Sequence, residues 1–175
     1  AIGSGKLLTL ASVDNARFID LKGIAGVIDF VNIMLYETDE PPKHQAALYR
    51  SALTSYITCE ESVDAHLKAG LKPGQIELGM PFYGTGNRVD VKQTILYRDL
   101  VRLPGLTKKW DAIAKAPYLV NGRGELVCSY DDPQSIAHKC AFIKKRGLRG
   151  AMYWQYAGDT DEGVLRKAVY KGLMH

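Results

Sequence analysis

The chain has 175 residues, 46% of them hydrophobic and 24% charged, which suits one globular domain and falls short of a complete eight-fold β/α barrel at roughly 250 residues. Its net charge of +4 comes from 23 basic and 19 acidic side chains in mixed segments such as Lys108–Lys109, Lys144–Lys145–Arg146 and Arg166–Lys167, a solvated surface that gives no footprint for nucleic acid. No run is long enough to span a membrane. The chain shows no signal peptide, and it opens at Ala1 without Met, so it reads as an excerpt whose targeting segment lies elsewhere.

Four apolar runs appear in chain order: Leu7–Val13, Val27–Tyr36, Ile76–Tyr83 and Gly150–Tyr156. They are nearly continuous, as expected of strands covered on both faces. Helical spacing fills the segments between them. From Glu60 to Ala69 an apolar stripe of Val63 and Leu67 ends at Gly70 and Pro73. From Pro133 to Arg146, Ile136, Cys140 and Ile143 share a face, with Gly147 as the stop. A last helix is predicted from Asp161 to Leu173, capped by Asp159 or Thr160.

Alternating buried strands and amphipathic helices imply parallel β/α units. Between Gly84 and Tyr130 that rhythm breaks, and Tyr118–Val120 and Glu125–Tyr130 read as a hairpin around Asn121–Gly124. Three cysteines, Cys59, Cys128 and Cys140, have no metal-ligand spacing and read as buried thiols or a chance pair. No metal or other cofactor is expected.

Three of the four runs end in aromatic and polar residues: Met34–Leu35–Tyr36–Glu37, Met80–Pro81–Phe82–Tyr83 and Met152–Tyr153–Trp154–Gln155–Tyr156. In a parallel β/α fold those carboxyl ends form the active face. Flat apolar rings fringed with hydrogen-bonding groups suit sugars, which have apolar faces and hydroxyl rims. Aromatics at strand ends also close hydrophobic cores, and the pattern by itself leaves both readings open.

The residues carry a resemblance as well. Asp29–Phe30–Val31–Asn32–Ile33–Met34–Leu35–Tyr36–Glu37 resembles the sixth barrel strand of glycoside hydrolase family 18, the chitinase family. Ile76–Glu77–Leu78–Gly79–Met80–Pro81–Phe82–Tyr83–Gly84 is similar to its seventh strand. Ser129–Tyr130–Asp131–Asp132–Pro133 and Gly147–Leu148–Arg149–Gly150–Ala151–Met152–Tyr153–Trp154–Gln155 resemble the helix start and eighth strand. Trp110–Asp111 and Ala116–Pro117–Tyr118 match the insert between strands seven and eight, and the four pieces run in register over nearly the whole chain.

The resemblance implies an α/β fold, a partial TIM (β/α)8 barrel of four parallel units corresponding to strands 5–8, with a small α+β insertion between strands 7 and 8. Barrel units 5–7 would occupy residues 1–83, the insertion 84–130, and the closing helix, strand and helix 131–175. It also implies a retaining hydrolysis of β-linked N-acetylglucosamine chains in which a glutamic acid protonates the leaving oxygen and the substrate's own acetamido oxygen attacks.

Carried over residue by residue, Tyr36 would donate a hydrogen bond to that acetamido oxygen, with Glu37 beside it as the second catalytic position. Met34 would floor the subsite, Trp154 would stack beneath the sugar, and Tyr83 would border the cleft. Gln155 would meet a sugar hydroxyl, and Met80 joins the substrate-binding set.

Three departures qualify this. Glu37 stands where the family usually has aspartate, and Thr85 follows Gly84 where an arginine is common. The family's Asp-x-x-Asp-x-Asp-x-Glu run does not occur in these residues. The isolated chain is therefore expected to be inactive, as the carboxyl-terminal half of an enzyme acting on chitin or a related glycan. The alternative is a non-catalytic, lectin-like carbohydrate-binding module on the same fold. A third reading, a stand-alone half-barrel with an unrelated role, leaves two open sheet edges. The expected partners are the glycan, the missing amino-terminal half, and a second copy of the chain pairing at those edges. Secretion, a periplasmic place or a cell-surface place follows only from the polymeric substrate.

Overall fold

In the computed structural model, which describes residue 3 and residues 5–174, the chain opens with β1 (Thr9–Val13), a single helical turn α1 (Leu21–Ile24) and β2 (Phe30–Met34). An irregular segment, 35–58, leads to α2 (Cys59–Lys68) and then to β3 (Ile76–Pro81). An excursion follows through β4 (Tyr83–Gly86), β5 (Thr94–Leu96), the one-turn α3 (Tyr97–Leu100), β6 (Thr107–Asp111), β7 (Ala116–Val120) and β8 (Leu126–Ser129). The chain returns as α4 (Pro133–Arg146), β9 (Gly150–Trp154) and α5 (Val164–Met174). Two sheets result. One is parallel in the order β1-β2-β3-β9; the other is antiparallel in the order β5-β4-β8-β7-β6.

Local chemistry sets the helix ends. Thr58 accepts a hydrogen bond from the Glu61 N–H while the Glu61 carboxylate accepts from the Thr58 N–H, a reciprocal cap that starts α2. Asp132 accepts from the Ser135 N–H at 2.8 Å to start α4, and Gly147 ends it at φ 63°, a left-handed geometry that glycine adopts without a Cβ penalty. The last helix starts at Val164, later than its sequence pattern suggests. Asp159 accepts from the Leu165 and Arg166 N–H groups, both at 2.9 Å, so residues 161–163 form the turn that lets a buried carboxylate reach those donors.

Strand alternation sorts the parallel sheet into two faces. Val31, Ile33, Ile76, Leu78 and Met80 are all fully buried and share one core with Val63 of α2, Ile136 and Ile143 of α4, and Leu165 of α5. Each such side chain contributes about 1.5–3 kcal/mol of burial. Phe30, Asn32, Met34, Glu77 and Met152 occupy the other face and remain partly exposed. There Arg149 bridges to Glu77 at 3.4 Å and lies over the Phe30 ring at 4.4 Å.

The third apolar run is not one strand. It leaves the parallel sheet at Pro81, Phe82 donates its N–H to the Trp154 carbonyl at 2.7 Å, and Tyr83 opens the antiparallel sheet opposite Leu96. The run stays apolar across the change because Pro81, Phe82 and Tyr83 are buried where the two sheets meet, so hydrophobicity carries no mark of it. The second sheet therefore includes Tyr83. β1 and β9 each have a single strand neighbour, and no closed barrel forms among the described residues. All three cysteines are buried and free. Among the described residues no helix is long and apolar enough to cross a membrane.

Candidate functional site

At the carboxyl ends of β2 and β9 a cleft of about 340 Å³ opens against the second sheet. Met34, Tyr36, Glu37, Tyr83, Trp154 and Gln155 line it, and Thr94 and Leu96 of β5 complete the wall. Met80 does not reach it. Its side chain has no exposed surface and belongs to the helix-side core, because alternation places it with Ile76 and Leu78. Gly79 and Pro81, the β3 residues of opposite parity, pair with Met152 and Trp154.

The strands aim the cleft residues. A Cβ on Gly79 would lie 2.2 Å from the Ile33 carbonyl oxygen and 3.3 Å from Cε1 of Tyr36, so only glycine lets β2 and the Tyr36 ring lie this close to β3. In β9, Tyr153 stacks parallel on Phe82 with ring centroids 4.4 Å apart. The next residue, Trp154, points the opposite way and is 55% exposed, while its carbonyl is held by Phe82. The peptide between Trp154 and Gln155 is cis.

Tyr36 and Tyr83 meet edge to face with ring centroids 6.0 Å apart. Burial, and then the charge of Glu37, pushes the Tyr36 hydroxyl above its usual pKa. The same causes, burial first and then the Glu37 charge, act more strongly on the Tyr83 hydroxyl. Both tyrosines are thus neutral donors throughout the physiological range. Glu37 itself sits at φ 58°, an uncommon conformation for a residue with a Cβ. Two hydroxyl donors, one carboxylate acceptor and an indole face suit a neutral, ring-shaped ligand with a carbonyl oxygen and a polar rim. No metal-binding group of three or more ligands occurs among the described residues.

Residues behind the cleft escape sequence reasoning. Thr94 and Leu96 arrive only through the pairing of β4 with β5. Thr85, where the family commonly has an arginine, is buried and donates its hydroxyl to Gln45 Oε1 at 2.8 Å. Gln45 lies fully buried in the irregular segment 35–58, a position that no motif marks.

Beside Gln45, His44 has Nε2 at 3.2 Å from Asp111 and Nδ1 at 3.4 Å from the Ser129 hydroxyl. This array is closed to a ligand. His44 and Ser129 are buried, the Ser129 hydroxyl accepts from the Gln45 N–H, and burial lowers the His44 pKa so that it stays neutral. Its place is structural, joining segment 35–58 to β6 and β8.

The profile of Glycosyl hydrolases family 18 matches residues 3–159. Chitinase A1 of Niallia circulans is 29% identical over 204 residues, a match covering 94% of this chain and 29% of that protein. Chitinase B of Serratia marcescens is 24% identical over 238 residues, covering 93% and 48%. Among solved structures, chitinase ChiW of Paenibacillus sp. str. FPU-7, a cell-surface-expressed multi-modular enzyme, superposes with a TM-score of 0.87 at 29% identity, over 97% of this chain and 22% of that one. The family 18 N-acetylglucosaminidase of Paenibacillus barengoltzii superposes with a TM-score of 0.80 at 28% identity, over 95% and 56%. The chain spans less than half the length of Chitinase A1 and of Chitinase B.

Proposed function

Because the chain belongs to glycosyl hydrolase family 18, we propose that its cleft holds β-linked N-acetylglucosamine units for hydrolysis. One observation carries this reading: Tyr36, Glu37, Tyr83 and Trp154 surround a single space of about 340 Å³. Trp154 offers the face on which a sugar ring stacks. Tyr36, which keeps its proton, donates to the acetamido carbonyl oxygen. In the substrate-assisted mechanism that oxygen attacks the anomeric carbon, so fixing it converts binding energy into rate. Met34 supplies the floor, Gln155 a rim contact, and Glu37 an acceptor for a sugar N–H or hydroxyl.

The general acid is not among these 175 residues, so the chain by itself binds without cleaving. It acts with a complementary set of β/α units. The unpaired sides of β1 and β9 are the places for such a set to join; a second copy could close those edges but would bring no general acid. The polymeric substrate, and the cell-surface expression of ChiW, support a place outside the cytoplasm. A lectin-like use of the same cleft is favoured by Glu37, one methylene longer than the family's aspartate.

Titration with chitotetraose and cellotetraose, read through tryptophan fluorescence, tests the reading. Binding of the first and not the second is expected, since only chitotetraose carries acetamido groups. Equal affinity for both, or for neither, sinks it. Product release once complementary units are supplied decides for the enzyme, and binding without release for the lectin.

A further inference from the structure

Gln45 is one of the few polar side chains among the described residues with no exposed surface, and its amide is fully used. Nε2 donates to the Tyr83 carbonyl at 3.0 Å and to the Ser129 carbonyl at 3.1 Å. Oε1 accepts from the Glu37 N–H at 3.3 Å and from the Thr85 hydroxyl at 2.8 Å. An amide has two N–H donors and an oxygen with two lone pairs, so every position is taken. The partners also fix which way round it lies: two carbonyl oxygens need the nitrogen, and a backbone N–H needs the oxygen. The main chain of the same residue holds this end of the segment too, its carbonyl accepting from the Thr38 N–H at 3.2 Å and from the Thr38 hydroxyl.

The two cleft residues gripped in this way come from different sheets. Glu37 follows β2 of the parallel sheet, whereas Tyr83 opens β4 of the antiparallel one. Their meeting in one cleft requires a fixed distance between two backbones that share no ladder. Glu37 also holds φ 58°, which persists only where the surroundings impose it. We infer that Gln45 is the positioning residue of this cleft, a single buried amide that sets Glu37 and Tyr83, and with them Tyr36, at the separation a sugar requires. It touches no ligand and acts through the residues that do. The ligand part rests on the N-acetylglucosamine reading; the geometric part does not.

The test uses Q45N, which keeps the amide but shortens its reach, and Q45E, which keeps the length but presents an acceptor to the Tyr83 and Ser129 carbonyls. Inter-ring NOEs between Tyr36 and Tyr83 need no ligand. They should be present in the wild type and weakened in folded Q45N, while chitotetraose affinity falls about tenfold, a change of ~1.4 kcal/mol. Q45E should regain NOEs and affinity as pH falls from 8 to 5 and its acid takes up a proton, a dependence the wild type lacks over that range. Unchanged NOEs in a folded Q45N overturn the inference. If the wild type ignores chitotetraose, the sugar reading fails while the NOEs still judge Gln45. If both variants unfold, side-chain amide exchange in the wild type decides: slow exchange at Gln45 supports the grip, and exchange as fast as at the exposed Gln155 overturns it.

Discussion

Met34 and Met80 lie near the ends of adjacent parallel strands and belong to opposite faces. Met80 is fully buried in the core shared with α2, α4 and α5, whereas Met34 is half-buried and lines the cleft. The difference is one of parity: side chains alternate across a strand, so one step along the chain exchanges a structural role for a ligand-facing one. The helix-side face therefore carries stability, and the opposite face is left free to carry recognition.

The largest expected effect lies behind the helix-side face. Lys139 and Asp131 form an ion pair at 2.5 Å with both side chains essentially inaccessible. Lys139→Met leaves a buried carboxylate without its partner and should cost about 3–5 kcal/mol in urea denaturation. A loss under 1 kcal/mol would show that water reaches Asp131. Next, Met80→Ala should cost about 2–5 kcal/mol through cavity formation, with chitotetraose affinity intact in the folded fraction. Met34→Ala should do the reverse, weakening binding with a stability loss below about 1 kcal/mol, since a half-buried side chain leaves less of a cavity. Equal effects from the two methionines would break the two-face division.

Trp154→Ala should leave the denaturation midpoint nearly unchanged, because the indole is 55% exposed, and should lower chitotetraose affinity about tenfold or more, ~1.4 kcal/mol. The smallest effect is on pH dependence. Burial lowers the pKa of His44 and of His66, the latter held between the Ser62 carbonyl and the Ser12 hydroxyl. The unfolded chain then binds more protons than the folded one below the ordinary value of 6.5. Stability should therefore rise with pH up to that point and level off above it. His66→Gln should flatten part of the slope between pH 7 and pH 5. Binding should stay flat from pH 7 to pH 9, because Tyr36 and Tyr83 are raised and keep their protons. A loss of binding over that range would show that one of them ionises.

Much of this was legible in the chain. Pro133 to Arg146 forms the predicted helix because Asp132 and Gly147 terminate it through local hydrogen bonds and a local dihedral. The hairpin around Asn121–Gly124 forms for a similar reason, with Asn121 and Glu125 closing the turn. Tyr36, Glu37 and Trp154 stand at the ends of apolar runs, which a parallel fold makes the mouth of a site, but that pattern left a core role open and their nomination came from the resemblance to family 18. Three other features were hidden. Tyr83 changes sheet inside an unbroken apolar run, Met80 follows a parity that depends on register, and Gln45 takes three of its four partners, Tyr83, Thr85 and Ser129, from segments distant in sequence.

By itself the sequence determined the parallel strands, the capped helices and the family, because each is written in periodicity, end residues or short ordered motifs. Only the tertiary structure decided which methionine faces the cleft, where the second sheet begins, and that a buried glutamine ties Glu37 to Tyr83. Those outcomes depend on strand register and on hydrogen bonds between remote segments, which exist only once the two sheets are packed together.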